Sequence, residues 1–317
     1  MVEKESVAVK RRRRMRGRGV RRGYNPLLIK ELRGRMRGAR AFVVLTVYLL
    51  LLSCFTSLIY YAYTALSNDM GSGPDMAYLG QAIFATVVII EIFMVTFITP
   101  AFTAGAISGE RERKTYELLR TTLLTAPKLV FGKLSSALTY MFLLILAAVP
   151  VESLAFLLGG VVLEELAVAL VMLLVTALAF AAIGILFSSF MRSTLASTVL
   201  AYITALLLTI GLPLVMLISV GMLDTVLYDW DPSSWIVEAA LMYLVCFIIS
   251  LSPVSAAVGA EIVLQQEGSL LYFWYDVDPG HRIIIPSFWI TYTVIYLVLA
   301  LLLLLITILR VRRQEQQ

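Results

Sequence analysis

Residues 105–133 read GAISGERERKTYELLRTTLLTAPKLVFGK. The stretch interrupts a front half that otherwise alternates apolar runs with short loops. Its charges, Glu110 through Lys114, Glu117 and Arg120, are too dense to lie in lipid. The pattern is nevertheless regular. Ser108 suits a helix cap. Glu110 and Lys114 stand four residues apart, as do Arg113 and Glu117. Tyr116, Leu118, Leu119 and Leu123 supply an apolar edge, and Pro127 stops the run. The expectation is a short amphipathic helix over 108–124, held at the membrane surface between two spans. Two uses fit it: an interfacial helix resting on head groups, or a docking knob for a cytosolic partner.

The rest of the chain sets that expectation in place. Sixty per cent of the 317 residues are hydrophobic and 15% are charged. Several runs exceed the roughly 20 apolar residues that cross a bilayer, and none has the one-sided period of a soluble helix. The class is an all-α integral membrane protein. Six transmembrane helices are expected at about 41–63, 80–103, 131–158, 164–190, 194–222 and 286–309. A further apolar segment, 235–262, is broken at Ser252-Pro253 and reads as an outer re-entrant or interfacial hairpin, tolerable at depth only where protein or water surrounds it. The stretch 263–285 is polar and aromatic.

Charge distribution orients the spans. All but one of the 26 Lys and Arg fall in 1–40, in 104–133, at Arg192 or in the tail from Arg310; the exception is Arg282. Six crossings that start inside place every one of the others on the cytoplasmic side. A seventh would put the basic tail outside. The expected location is therefore the plasma membrane, with both termini cytoplasmic. Residues 1–23 form a basic, disordered tail, read as a retention signal by charge or a ligand for anionic head groups. Nucleic acid is disfavoured as a partner, because no aromatic residues interleave the charges. Residues 24–40 form an amphipathic entry helix, with Asn25 as cap and Pro26 at its first position. The six-span domain is 41–309 and the tail 310–317.

Catalytic signatures are missing. The run from Gly109 to Thr115 lacks the glycine that must precede the lysine of a phosphate-binding loop. Leu134 follows Gly132-Lys133 where a hydroxyl would be needed. His281 is the sole histidine, which rules out a two-histidine zinc motif. Glu164-Glu165 reads as a solvated helix start, and no Gly-x-Ser-x-Gly turn occurs. Cys54 and Cys246 fall in apolar runs and read as packing residues. No cleavable signal peptide is expected, since the first 40 residues lack an apolar core. Glu91 stands mid-span in VVIIEIFMV, where an ionised carboxylate is costly. It either joins two helices as a hydrogen-bonded group or lines a pathway or dimer interface. Glu152, beside Pro150 near the outer end of the third span, reads as interfacial.

GERERKTYELLRTT (109–122), then Pro127 and Gly132-Lys133, resembles the segment between spans two and three of ABC-2 type permeases, the membrane subunits of ATP-binding-cassette exporters. Lys114 stands where that family often has glycine. NPLLIKELR (25–33) resembles the family's entry helix, and FSSFMRSTLASTVLAY (187–202) its loop between spans four and five. The resemblance implies a permease domain over 41–309 that is not itself an enzyme, coupled to separate cytosolic ABC ATPase subunits that bind ATP and Mg. It implies a second permease as partner, in a homo- or heterodimer among membrane lipids. The chain itself would hold no cofactor. The 108–124 helix becomes a coupling helix, with Ser108 at its start, Glu110, Glu112, Arg113 and Glu117 as polar contacts, and Tyr116 and Leu119 as apolar ones. The alternative is a membrane scaffold or channel without an ATPase.

Overall fold

The computed structural model describes residues 39–69, 75–114, 125–218, 235–278 and 281–316. The basic tail, the entry helix up to residue 38, and Tyr116, Glu117 and Leu119 of the interspan segment lie outside the described residues.

Among the described residues six helices are long and apolar enough to cross a membrane. They are α1 (Ala39–Asp69), α2 (Met76–Thr103), α4 (Ala126–Leu157), α5 (Leu163–Phe190), α6 (Thr194–Ile218) and α9 (Phe288–Gln316). Between them lie the short α3 (Ser108–Glu112), α7 (Trp235–Ile249), α8 (Pro253–Glu267), and a hairpin of β1 (Tyr272–Asp278) and β2 (His281–Pro286). Local chemistry sets several starts. Asp75 caps α2 by accepting the N–H groups of Ala77 and Tyr78, and Ser252 caps α8 with Pro253 next. Pro127 occupies the first turn of α4, where its missing N–H costs nothing. It therefore begins a span, and that span starts at Ala126, five residues before the expected position.

α5 is the hub. It is apolar all round, the pattern of a helix enclosed by others, and it packs against α2, α4, α6, α8 and α9. Phe180, Leu173 and Ile185 are fully buried on it. Within lipid, helices associate through close packing and hydrogen bonds more than through water exclusion, and the contacts of α5 use both. A Cβ at Gly184 would lie 2.0 Å from Thr103 Oγ1, so α2 and α5 touch there because the side chain is absent. Gly160 makes a similar approach, since its Cβ would fall 1.9 Å from the Ala77 carbonyl. Thr176 and Tyr292 join α5 to α9 through their hydroxyls at 2.7 Å. By contrast α1 and α6 bury little and present broad apolar faces, including Leu50, Leu58, Leu195 and Ile203.

Helices α7 and α8 have 15 residues each, about 22 Å, short of the roughly 30 Å hydrocarbon layer. They meet at Ser250–Ser252, and the Leu251 carbonyl at the tip accepts from Tyr296 Oη at 2.8 Å, about two turns into α9. The strands after them were not evident in the sequence. Tyr272 pairs with Pro286, Trp274 with Ile284 and Asp276 with Arg282. Their signal was alternation: Phe273, Tyr275, Ile283 and Ile285 pack inward on α7 and the start of α9, while Trp274 and Ile284 are exposed. A run of aromatic and β-branched residues with period two is strand-like.

Candidate functional site

The charged interspan segment is built onto the end of the bundle where α2 stops and α6 starts. α2 ends at Thr103, three residues after Pro100, and residues 104–107 form a turn before α3. Such a break frees backbone groups that must be satisfied, and three serines from three elements do so. Ser188 Oγ, on α5, accepts the N–H groups of Ile107 at 2.8 Å and Ser108 at 3.0 Å. Ser197 Oγ, on α6, donates to the Ala104 carbonyl at 2.6 Å, and Ser108 Oγ donates to the same carbonyl at 3.0 Å. All three serines are fully buried.

The charges of GERER then reach neighbouring helix ends. Glu110 pairs with Lys133 of α4 at 3.2 Å, and Lys133 is 7% exposed. Arg111 donates to the Met191 carbonyl, just past α5, at 3.3 Å. Glu112 accepts both the N–H and the hydroxyl of Thr194, each at 2.8 Å. Thr194 is the first residue of α6, so a carboxylate sits at that helix N-terminus, where the free N–H groups and the dipole favour it. α9 is drawn in as well: the Arg310 guanidinium lies 3.8 Å from the centre of the Phe190 ring, a cation–π contact. One short segment is thus fixed to the ends of α4, α5 and α6.

This placement changes the reading of several residues. Ser108 does not cap α3: Ile107 occupies the cap position without a side-chain bond, and Ser188, from another span, accepts the free N–H groups instead. The expected single helix over 108–124 stops at Glu112. Arg113 and Lys114 form a turn and are exposed, and Lys114 has φ +56°. That left-handed conformation costs a non-glycine residue about 1–2 kcal/mol. It gives a physical reason for the glycine that the resembling motif carries at this position. Glu110 and Glu112 point to the protein's own helices. Ser188, Ser197 and Thr194 were missed, although FSSFMRSTLASTVLAY contains all three; hydroxyls spaced along a loop between spans were the available signal.

Glu91 is the second predicted position, and its surroundings are richer than the sequence implied. It is fully buried on α2, and Tyr48 of α1 donates to its Oε1 at 3.1 Å. Glu152, on α4, is its acidic neighbour. Glu152 is 1% exposed, so it is not interfacial; the turn of α4 that carries it faces α1 and α2. No donor among the described residues reaches Glu91 Oε2 or either Glu152 oxygen. Among the described residues no group of three or more His, Cys, Asp and Glu gathers as a metal site. Cys246 is buried and Cys54 exposed.

Six long apolar helices among the described residues, one of them at the centre of the others, with a charged segment clamped across helix ends, define a multi-pass helical membrane protein. The model of the ABC-2 family transporter proteins matches residues 26–315. The chain belongs to that family and is a membrane component of a transporter. No curated protein sequence matches it.

Proposed function

We propose that the chain is the permease subunit of an ATP-driven exporter in the plasma membrane, with both termini cytoplasmic. It pairs with a second permease, a copy or a relative, to form the transmembrane pathway. A separate cytosolic ABC ATPase binds ATP and Mg and docks on residues 108–124. The observation that supports this reading best is the clamp of α3. A partner that pushes a slack loop moves only the loop. A partner that pushes α3 loads Lys133, Met191 and Thr194 and hence the ends of three spans at once. Arg113 stands on the exposed side of the turn and faces the partner, completed by Tyr116, Glu117 and Leu119. Ser108, Glu110 and Glu112 act on the inner side, holding the docking segment to the spans. Glu91 contributes to the pathway or to the packing of the helices around it.

The test is co-expression with a cytosolic ABC ATPase, followed by affinity co-purification and ATPase assays in liposomes. Reversing the charge of both Glu110 and Glu112 is expected to leave a folded permease that still binds the ATPase but no longer alters its turnover. Wild-type coupling in that double variant would overturn the role given to the clamp.

A further inference from the structure

At the opposite end of the bundle, α2, α5 and α8 enclose a cavity of about 230 Å³. Its walls are apolar: Phe84 and Val88 from α2, Val168 and Met172 from α5, Val258 from α8. The exceptions are Glu165 and Glu261, which are close enough to feel each other's charge. Glu165 begins α5, so the carboxylates mark the end of the cavity nearer that surface, and the wall continues inward to Met172. Each carboxylate has one donor, the Val162 N–H for Glu165 and the Gln265 amide for Glu261. Among the described residues neither has a cationic partner. The sole basic residue of this end in the sequence is Arg282, and it is paired with Asp276.

An apolar slot with two carboxylates at one end is complementary to one kind of molecule. We propose that this cavity binds an amphipathic cation, with an alkyl or aromatic body against Phe84, Val88 and Met172 and an ammonium group between Glu165 and Glu261. Anionic amphiphiles are repelled by the same pair, and a neutral acyl chain gains nothing from it. The inference names a substrate class for the permease reading and takes its physiological meaning from that reading. The binding step itself needs no ATPase.

The experiment uses the purified full-length permease in nanodiscs of zwitterionic lipid and measures binding of radiolabelled dodecyltrimethylammonium, with dodecanoate as the anionic counterpart. The substitutions are Glu165→Gln with Glu261→Gln, because glutamine keeps the oxygen that accepts the Val162 N–H and so preserves the start of α5. Saturable binding of the cation is expected, weakened about tenfold or more in the double variant, with dodecanoate at least about tenfold weaker than the cation in wild type. Val88→Trp, which fills the slot and leaves both carboxylates, is expected to abolish binding as well. Equal affinity for the two amphiphiles, or binding indifferent to both sets of substitutions, overturns the proposal as simple apolar partitioning. Because no ATPase is present, failure here leaves the coupling role of α3 untouched, and failure of coupling leaves this result standing.

Discussion

The two ends of the bundle solve opposite problems. At the basic end the chain beyond α2 is held by buried hydroxyls, by one ion pair to α4 and by charged side chains hydrogen-bonded at the ends of α5 and α6. At the acidic end the α7–α8 hairpin and the β-hairpin reach the last span through scattered hydrogen bonds, among them Tyr296 to Leu251, Trp289 to Leu270 and the Ser287 N–H to the Leu271 carbonyl, and Tyr243 ties α7 to Ile284 of β2. An apolar cavity lies beside them. Under the coupling proposed for α3, a push at the well-linked end would be passed to several spans together, while the sparsely linked end with its cavity would be the part free to change.

The sharpest way to break the comparison is at the close contact of α2 with α5 beside the clamp. Gly184→Leu places atoms where Thr103 already stands. It is expected to destabilise the detergent-solubilised protein by about 3 kcal/mol or more, seen as loss of the monodisperse peak in size-exclusion chromatography. Thr103→Ala on top of it should recover part of the loss. Next is Ser188→Ala, which strips the acceptor from two buried N–H groups and is expected to cost about 1–3 kcal/mol. If the basic end is a transmitter, its thermal unfolding shift is accompanied by a fall in ATPase coupling larger than that of any single change at Tyr296. Equal coupling loss at Tyr296→Phe would erase the distinction between the ends.

Smaller and of opposite sign is Lys114→Gly. Relief of the left-handed backbone should stabilise the turn by about 1 kcal/mol, measurable as slower hydrogen exchange across 108–114. Smallest on stability is Glu91→Gln, which keeps an oxygen for Tyr48 and the shape of the side chain. Assembly is expected to be unchanged by light scattering. Loss of coupled turnover with that normal assembly marks Glu91 as a pathway residue, and retention marks it as a packing group.

Much of this was legible in residue order. Apolar runs of bilayer length located the spans, because a lipid environment demands one kind of segment and states it plainly. The distribution of Lys and Arg told one end from the other. The break at Ser252-Pro253 was visible, since a capping serine followed by proline at the first helical position is a local signal. Other features were not. Ser188 and Ser197 satisfy a break in a helix some 80 to 90 residues away, and no local pattern announces such a partner. Glu152 looked superficial from its position near a helix end, and only the packing of α1 and α2 over it shows that it is buried beside Glu91. The β-hairpin carried an alternating pattern, but a run of aromatics among aspartates reads equally well as an irregular loop.

The sequence alone determined the solvent of each segment: lipid for six helices, water or an interface for the charged stretch at 105–133. Those are one-body properties, fixed by the transfer free energy of each residue. What tertiary structure decided is the direction of the charges in that stretch. Glu110 and Glu112 turn to Lys133 and Thr194 of the protein's own helices, because α4 and α6 bring a buried ammonium and a helix N-terminus within reach of charges that the sequence leaves undirected.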